Sequence, residues 1–339
     1  MTTTHISYSP FQQAVTSQNS NLAKSPHIRR LSYNEIKFAS FITDMCINKQ
    51  SSLYNELESW SQKQRLSDNA IKLAHYILDT SRRNATDLCI KLYDIESIPT
   101  AIQHLKTLTR VAIIKNALKS QILPDSICQL SLLTHLNVSN NALSSLPSEL
   151  HRLSNLTLLN VSKNNLTTLP DNFATLSTLT SLDLSDNPLK TLTPKIGKLC
   201  NLTILNISNC ELTTLPSSLG EIPYLTSLSC PMNQLTKLPR EIGRLSELEK
   251  LHVAGNPLKD LPDELGNLAK LKKLYCFSCK DLESLPTTLT NLEHLLSLNV
   301  SATNPILEAQ SYSILAICRF LRSLTFLSTE LTDNKANNC

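Results

Sequence analysis

The chain of 339 residues is 41% hydrophobic and carries 32 Lys/Arg against 28 Asp/Glu, a formal net charge of +4. The excess lies in residues 1–84, which hold 10 basic and 6 acidic side chains, while residues 85–339 are balanced at 22 of each. A neutral body argues against a phosphate-gripping groove and so against nucleic acid as a partner. No run reaches the roughly 20 apolar residues that span a bilayer, so a membrane is not expected as a partner either.

Residues 1–23 contain no Asp, Glu, Lys or Arg and are rich in Thr, Ser, Gln and Asn. Such a segment has little apolar surface to offset the entropy of ordering, so residues 1–27 are expected to stay disordered. It also lacks a basic region followed by an apolar core, the mark of a cleaved secretory signal. Residues 28–84 are expected to form a helical cap. Ile36, Ser40, Phe41 and Met45 suggest one helix, and Leu53, Tyr54, Leu57 and Trp60 a second. Ile71, Leu73, Ala74, Ile77 and Leu78 suggest a third, with Ser67 or Asp68 as its N-cap.

From about position 85 to position 305 the chain repeats itself. Units start at Leu133, Leu156, Leu179, Leu202, Leu225, Leu248 and Leu271, each 23 residues after the last. Leu108 opens a unit of 25, Leu271 one of 24, Ala85 a degenerate first unit and Leu295 a last half-unit. Residues at start+3 and start+5, such as Leu136 and Val138, alternate with polar ones, which is the period of a strand with one buried face. A lone unit cannot bury that edge, so units must stack into a parallel sheet. The eighth residue after each start is Asn116, Asn141, Asn164, Asn187, Cys210, Asn233, Asn256 and Cys279. Buried Asn amides in that row can bridge backbone groups of adjacent coils. Leu-Pro pairs such as Leu215-Pro216 and Leu238-Pro239 predict short turns on the outer side, with Thr193-Pro194 displaced by one residue. Gly197, Gly220, Gly243 and Gly266 recur 18 residues after their unit starts and so belong to the repeat.

The spacing L-x-x-L-x-L-x-x-N-x-L resembles the leucine-rich repeat. The fold class is therefore read as α/β: a repeat solenoid with its parallel sheet on the concave face, capped by helices at both ends. Residues 306–339 supply the second cap, with Ile314, Ile317, Cys318, Leu321 and Leu324 at helical spacing over 306–328. The rival reading of that stretch is an amphipathic membrane or partner helix with Arg319 and Arg322 outside.

No constellation suited to catalysis is found. The eight histidines are scattered, and H-E-x-x-H, G-x-S-x-G and a phosphate-binding glycine loop are absent. Asp183 and Asp186 lie on the inner face without neighbours that would tune them. Cys276-Phe277-Ser278-Cys279 is a C-x-x-C, but its cysteines fall on the start+5 and start+8 positions and are read as core rather than as a redox pair or half a metal site. Cys230 also falls at start+5, and paired cysteines flanking the repeats are missing, so free thiols in a reducing compartment are expected. Sequons such as Asn137-Val138-Ser139 arise from the repeat itself. No enzyme activity, metal, cofactor or small-molecule substrate is expected.

Function should lie on the inner face, whose solvent positions are start+2, +4 and +6. From Leu133 to Leu202 these are mainly small and polar, including His135, Asn137, Ser139, Asn160, Ser162, Ser181, Asp183, Ser185, Asn206 and Ser208. Toward the C-terminus they become Lys250, His252, Lys273, Tyr275 and Phe277, with Met232 adjacent. Aromatics beside cations have the composition of an interface hot spot, and these six are the candidate partner-binding residues.

Leu53-Tyr54-Asn55-Glu56-Leu57-Glu58-Ser59-Trp60, a second helix ending near Ser81, and Leu88-x-Ile90 followed by Ile98-Pro99 resemble the LPX group of bacterial type III secreted effectors. The resemblance covers about residues 1–105 and the repeats in kind. It implies an export segment, delivery into the host cytoplasm, and a host protein bound as adaptor or inhibitor through the concave face. The 23-residue period departs from that group's shorter repeat toward intracellular scaffolds, so a non-secreted signalling scaffold is the alternative. The group's ubiquitin ligase domain does not carry over, because the one Cys-x-Asp, Cys279-Lys280-Asp281, sits inside a repeat. A component of a ligase system is the second alternative.

Overall fold

The computed structural model describes residues 52–63, 68–91, 95, 97–116, 118, 122–301 and 305–336. The expected export segment and the helix expected around Ile36–Met45 lie outside the described residues. Two helices, α1 (Ser52–Lys63) and α2 (Asp68–Arg82), lead into ten strands and a final helix, α3 (Pro305–Ala336). The strands are β1 (Asp87–Lys91), β2 (Arg110–Ile114), β3 (His135–Asn137), β4 (Leu158–Asn160), β5 (Ser181–Asp183), β6 (Ile204–Asn206), β7 (Ser227–Ser229), β8 (Lys250–His252), β9 (Lys273–Tyr275) and β10 (Ser297–Asn299). Coils are numbered here by their strand. All ten strands join one parallel sheet in sequence order, so every coil touches only its neighbours, as a solenoid requires.

The buried column is as the periodicity predicts. Leu136, Leu159, Leu182, Leu205, Leu228, Leu251 and Leu274 stack at 1% exposure or less, beside Val138, Val161, Leu184, Ile207, Cys230, Val253 and Cys276. A fully buried side chain of this size contributes about 1.5–3 kcal/mol, but only when the next coil covers it. On the convex side, each Leu-Pro introduces one 3-10 turn. Pro216 has extended backbone (φ −70°, ψ 145°), and its carbonyl accepts from Leu219 N–H at 3.0 Å. In coil 5 the displaced proline falls inside the turn, and Thr193 caps it through Oγ1, which accepts from Lys195 N–H at 3.3 Å.

Every Asn of the inner row bridges two coils. Asn187 donates to Val161 O (3.0 Å) and Leu184 O (2.8 Å) and accepts from Leu166 N–H (3.0 Å). Cys210 can imitate the donor, with Sγ 3.3 Å from Leu184 O, but it offers no comparable acceptor. The N–H of Leu189, which would have met an Asn oxygen, turns instead to Asn187 O at 2.8 Å. The residue before this row is left-handed in coils 2 to 9, from Lys115 (φ 56°) through Met232 (φ 56°) and Gly255 (φ 66°) to Ser278 (φ 56°). That turn ends each strand and swings the chain across the core.

At the N-terminal end, Leu53, Leu57 and Trp60 of α1 and Leu73, Ala74, Ile77 and Leu78 of α2 are buried against coil 1. Trp60 Nε1 donates to Ser97 Oγ at 3.1 Å, and Glu56 meets His104 at 2.9 Å. The hydrogen bond from His104 holds the Glu56 carboxyl below its ordinary value against the opposing effect of burial. Tyr76 Oη accepts from Cys89 N–H at 3.4 Å, which helps to cover the open edge of β1. At the other end α3 runs farther than the sequence suggests, and its inner stripe is Leu307, Ser311, Ile314 and Cys318. Cys318 Sγ donates to Leu289 O at 3.5 Å. Ile317, expected on that stripe, is 43% exposed because it lies one position round from Cys318. Among the described residues, no helix is long and apolar enough to cross a membrane.

Candidate functional site

On coils 3 to 6 and 10 of the concave face, start+4 and start+6 form a closed motif. Asn160 Oδ1 accepts from Ser162 N–H (2.9 Å) and Oγ (2.7 Å), and Asp183 does the same for Ser185 at 3.0 and 2.7 Å. Asn206 repeats it with Ser208, Asn299 repeats it with Ser301, and Asn137 accepts from Ser139 N–H. Ser162 and Ser185 are therefore not solvent positions as the spacing suggests: both are 7% exposed, folded onto their own strand's polar neighbour. These side chains satisfy one another and leave little for a partner.

Coils 1 and 2, with Cys89 and Lys91 and with Ala112 and Ile114 at these positions, do not carry the motif, and coils 7 to 9 interrupt it. The pairs become Ser229 and Pro231, His252 and Ala254, and Tyr275 and Phe277. A second ladder ends at the same place. Thr134, Thr157, Thr180, Thr203 and Thr226 each donate Oγ1 to the carbonyl of the preceding coil's threonine at 2.9–3.0 Å, and the next positions in the row are Glu249 and Lys272. Those two pair with each other at 2.8 Å.

The structure brings the six predicted residues together. Lys250 stands directly beside Lys273, and His252 beside Tyr275, in the β8–β9 register. The His252 ring lies 5.4 Å from Tyr275, edge-on, and 5.6 Å from Phe277. Lys250 Nζ sits 5.9 Å from the Tyr275 ring centre, within cation–π range. Met232 is 65% exposed on its left-handed turn, with its sulfur over Gly255, close enough that a Cβ there would lie 2.7 Å from it. Tyr275 and Phe277 are half-buried.

The electrostatics follow from this packing. Burial first, and then the Lys250 ammonium, push His252 below its ordinary value. Its Nε2 is buried with no hydrogen-bond partner among the described residues, an arrangement that costs about 1–3 kcal/mol. The C-x-x-C is not part of this surface: Cys276 and Cys279 are fully buried, and Cys279 Sγ donates to Val253 O at 3.6 Å. Burial raises the Cys276 and Cys279 thiols and lifts Cys230 to about 12.

Two concave features went unread in the sequence, although the start+2 spacing marks both. Ile204 is 46% exposed on β6. Leu158 lines a hollow of ≈ 270 Å³ with Cys89, Val111, Ala112 and His135, beside the ion pair of Arg110 and Asp87.

The matches to known proteins follow the same geometry. A leucine-rich repeat family profile matches residues 131–189, and the repeat profile of leucine-rich repeat and WD repeat-containing protein 1 matches residues 176–323. Mouse (Mus musculus) vasorin is 39% identical over 67 residues, 20% of this chain and 10% of vasorin. A solved leucine-rich repeat protein of Leptospira interrogans superposes with a TM-score of 0.62 at 31% identity, covering 66% of this chain and 57% of that one. YopM, a leucine-rich effector protein from Yersinia pestis, superposes at 0.57 with 24% identity over 75% and 72% of the two chains, a likeness of fold. The chain thus spans little more than half of the Leptospira protein and a tenth of vasorin. Ten parallel strands in sequence order, bridged coil to coil by one Asn row, require the repeat that these profiles describe, and the chain is a leucine-rich repeat protein.

Proposed function

We propose that the protein works by binding another protein on its concave face, at coils 7 to 9, and performs no chemistry of its own. The observation that carries this reading is the interruption of two polar ladders in consecutive coils, where His252, Tyr275 and Phe277 enter the inner face beside the opposed Lys250 and Lys273, with Met232 on the adjoining turn. Half-exposed aromatics on a rigid sheet lose little entropy on binding and make good anchors. The Tyr275→Ala, Phe277→Ala double variant should keep its circular dichroism melt. Each aromatic anchor contributes about 2 kcal/mol or more, so the pair should lower partner affinity on the order of 10³-fold. Undiminished capture by that variant would move recognition to the convex turns or the N-terminal helices.

The finer reading is an effector exported by a bacterium into a host cell, where it acts as adaptor or inhibitor of a host protein. The uncharged segment 1–23 and the Leu53-to-Trp60 helix support it. The 23-residue period favours instead an intracellular scaffold that is not exported. A translocation reporter fused to the full chain separates them, since only the effector delivers it into host cells. In a ubiquitin-transfer assay neither should form conjugates.

A further inference from the structure

We infer that the patch on coils 7 to 9 takes an acidic segment of its partner, a carboxylate between Lys250 and Lys273 with a neighbouring apolar side chain against Tyr275 and Phe277. This deepens the reading above and rests on it.

The charge pattern selects the ligand. Lys250 and Lys273 are directly opposed on neighbouring strands, about 4.8 Å apart across the sheet, and like charges so placed repel. The chain neutralises cations close by: Lys272 pairs with Glu249 at 2.8 Å and Lys270 with Glu247 at 2.6 Å. Among the described residues, no carboxylate pairs with Lys250 or Lys273. From coil 6 to coil 10 the inward positions carry no Asp or Glu at all. Two ammonium groups without a paired carboxylate, on a stretch of the face whose inward positions carry none, form a local positive field that an incoming carboxylate would relieve.

The rings fix what lies beside that carboxylate. Lys250 Nζ is held 5.9 Å from the Tyr275 ring centre, so the anion's seat and the aromatic surface are contiguous. His252, packed against Tyr275 and Phe277, has a buried Nε2 without a partner among the described residues, and a ligand that shifts these rings can supply the missing hydrogen bond. An apolar ligand alone would leave the ammonium pair and this nitrogen unanswered. A purely acidic one would leave the rings uncovered.

The test uses the full chain and an array of short peptides in which Asp or Glu adjoins Leu, Phe or Tyr, with Asn and Gln versions as controls. The acidic peptides should bind at least about tenfold more tightly than their amide counterparts, and added salt should shrink the difference. The Lys250→Gln, Lys273→Gln variant should fold normally and lose the preference. Equal binding of acidic and amide peptides, or a preference that survives in the lysine variant, overturns the inference. Partner capture then separates the two levels of the argument. If the lysine variant captures normally and the aromatic variant does not, the acidic ligand is wrong and the patch stands; if both capture normally, the patch itself is wrong.

Discussion

At the residue scale, stability depends on single side chains that serve two coils at once. The Asn187 side chain closes four hydrogen bonds to backbone groups in the buried core. Asn187→Ala should therefore cost about 3 kcal/mol or more in urea unfolding, because an N–H and carbonyls are orphaned together. Asn187→Cys should cost less, since Cys210 retains a donor to Leu184 O in the same role. His252 makes a second prediction. Its folded value lies below its ordinary 6.5, so on acidification the unfolded chain takes up the proton first. Stability at this site is present above pH 6.5 and is lost as the pH falls through 6.5 toward the folded value. An NMR titration should place its midpoint below 6.5, and His252→Gln should remove that part of the acid sensitivity.

At the element scale, the convex turns are set by how closely neighbours approach. A Cβ on Gly220 would lie 2.1 Å from the carbonyl oxygen of Glu241 in the next coil, and Gly197, Gly243 and Gly266 face the same obstruction at 2.3–2.5 Å. The obstacle is backbone, so no side-chain rotation relieves it. Gly220→Ala should destabilise by about 1–3 kcal/mol, read as a lowered denaturation midpoint. Ala174 stands at the same offset and already carries a Cβ, so Ala174→Ser should do far less. The sequence displayed the 18-residue offset of these glycines but not its cause, since the close approach exists only after the coils stack. The same holds for Ile317: helical spacing put it near the inner stripe, while the packing of α3 on the last coil buries its neighbour Cys318 and leaves Ile317 facing out.

At the scale of the whole molecule, contacts are local to neighbouring coils and the ends are closed by α1, α2 and α3. Residues 1–23 lie upstream of the helices that cap the solenoid and have no apolar periodicity. On the effector reading, deleting them should leave the thermal transition unchanged while abolishing delivery of a translocation reporter. A large fall in the transition would tie them to the cap instead.

The leucine period by itself determined the sheet, its order, the buried column and the Asn row, because a 23-residue unit with one apolar edge has few ways to bury it except by stacking on copies of itself. It also placed Lys250, His252, Lys273, Tyr275 and Phe277 on one face, since strand alternation fixes sidedness. What only the tertiary structure decided was which polar groups are already spoken for. Asn160 and Ser162 read as a free polar surface in the sequence, yet they hydrogen-bond each other, whereas His252 Nε2, packed against two rings from the next coil, is left without a partner among the described residues. Periodicity tells which way a side chain points; satisfaction of its hydrogen bonds and charge depends on atoms 20 or more residues away, which the stacking of coils alone brings into contact.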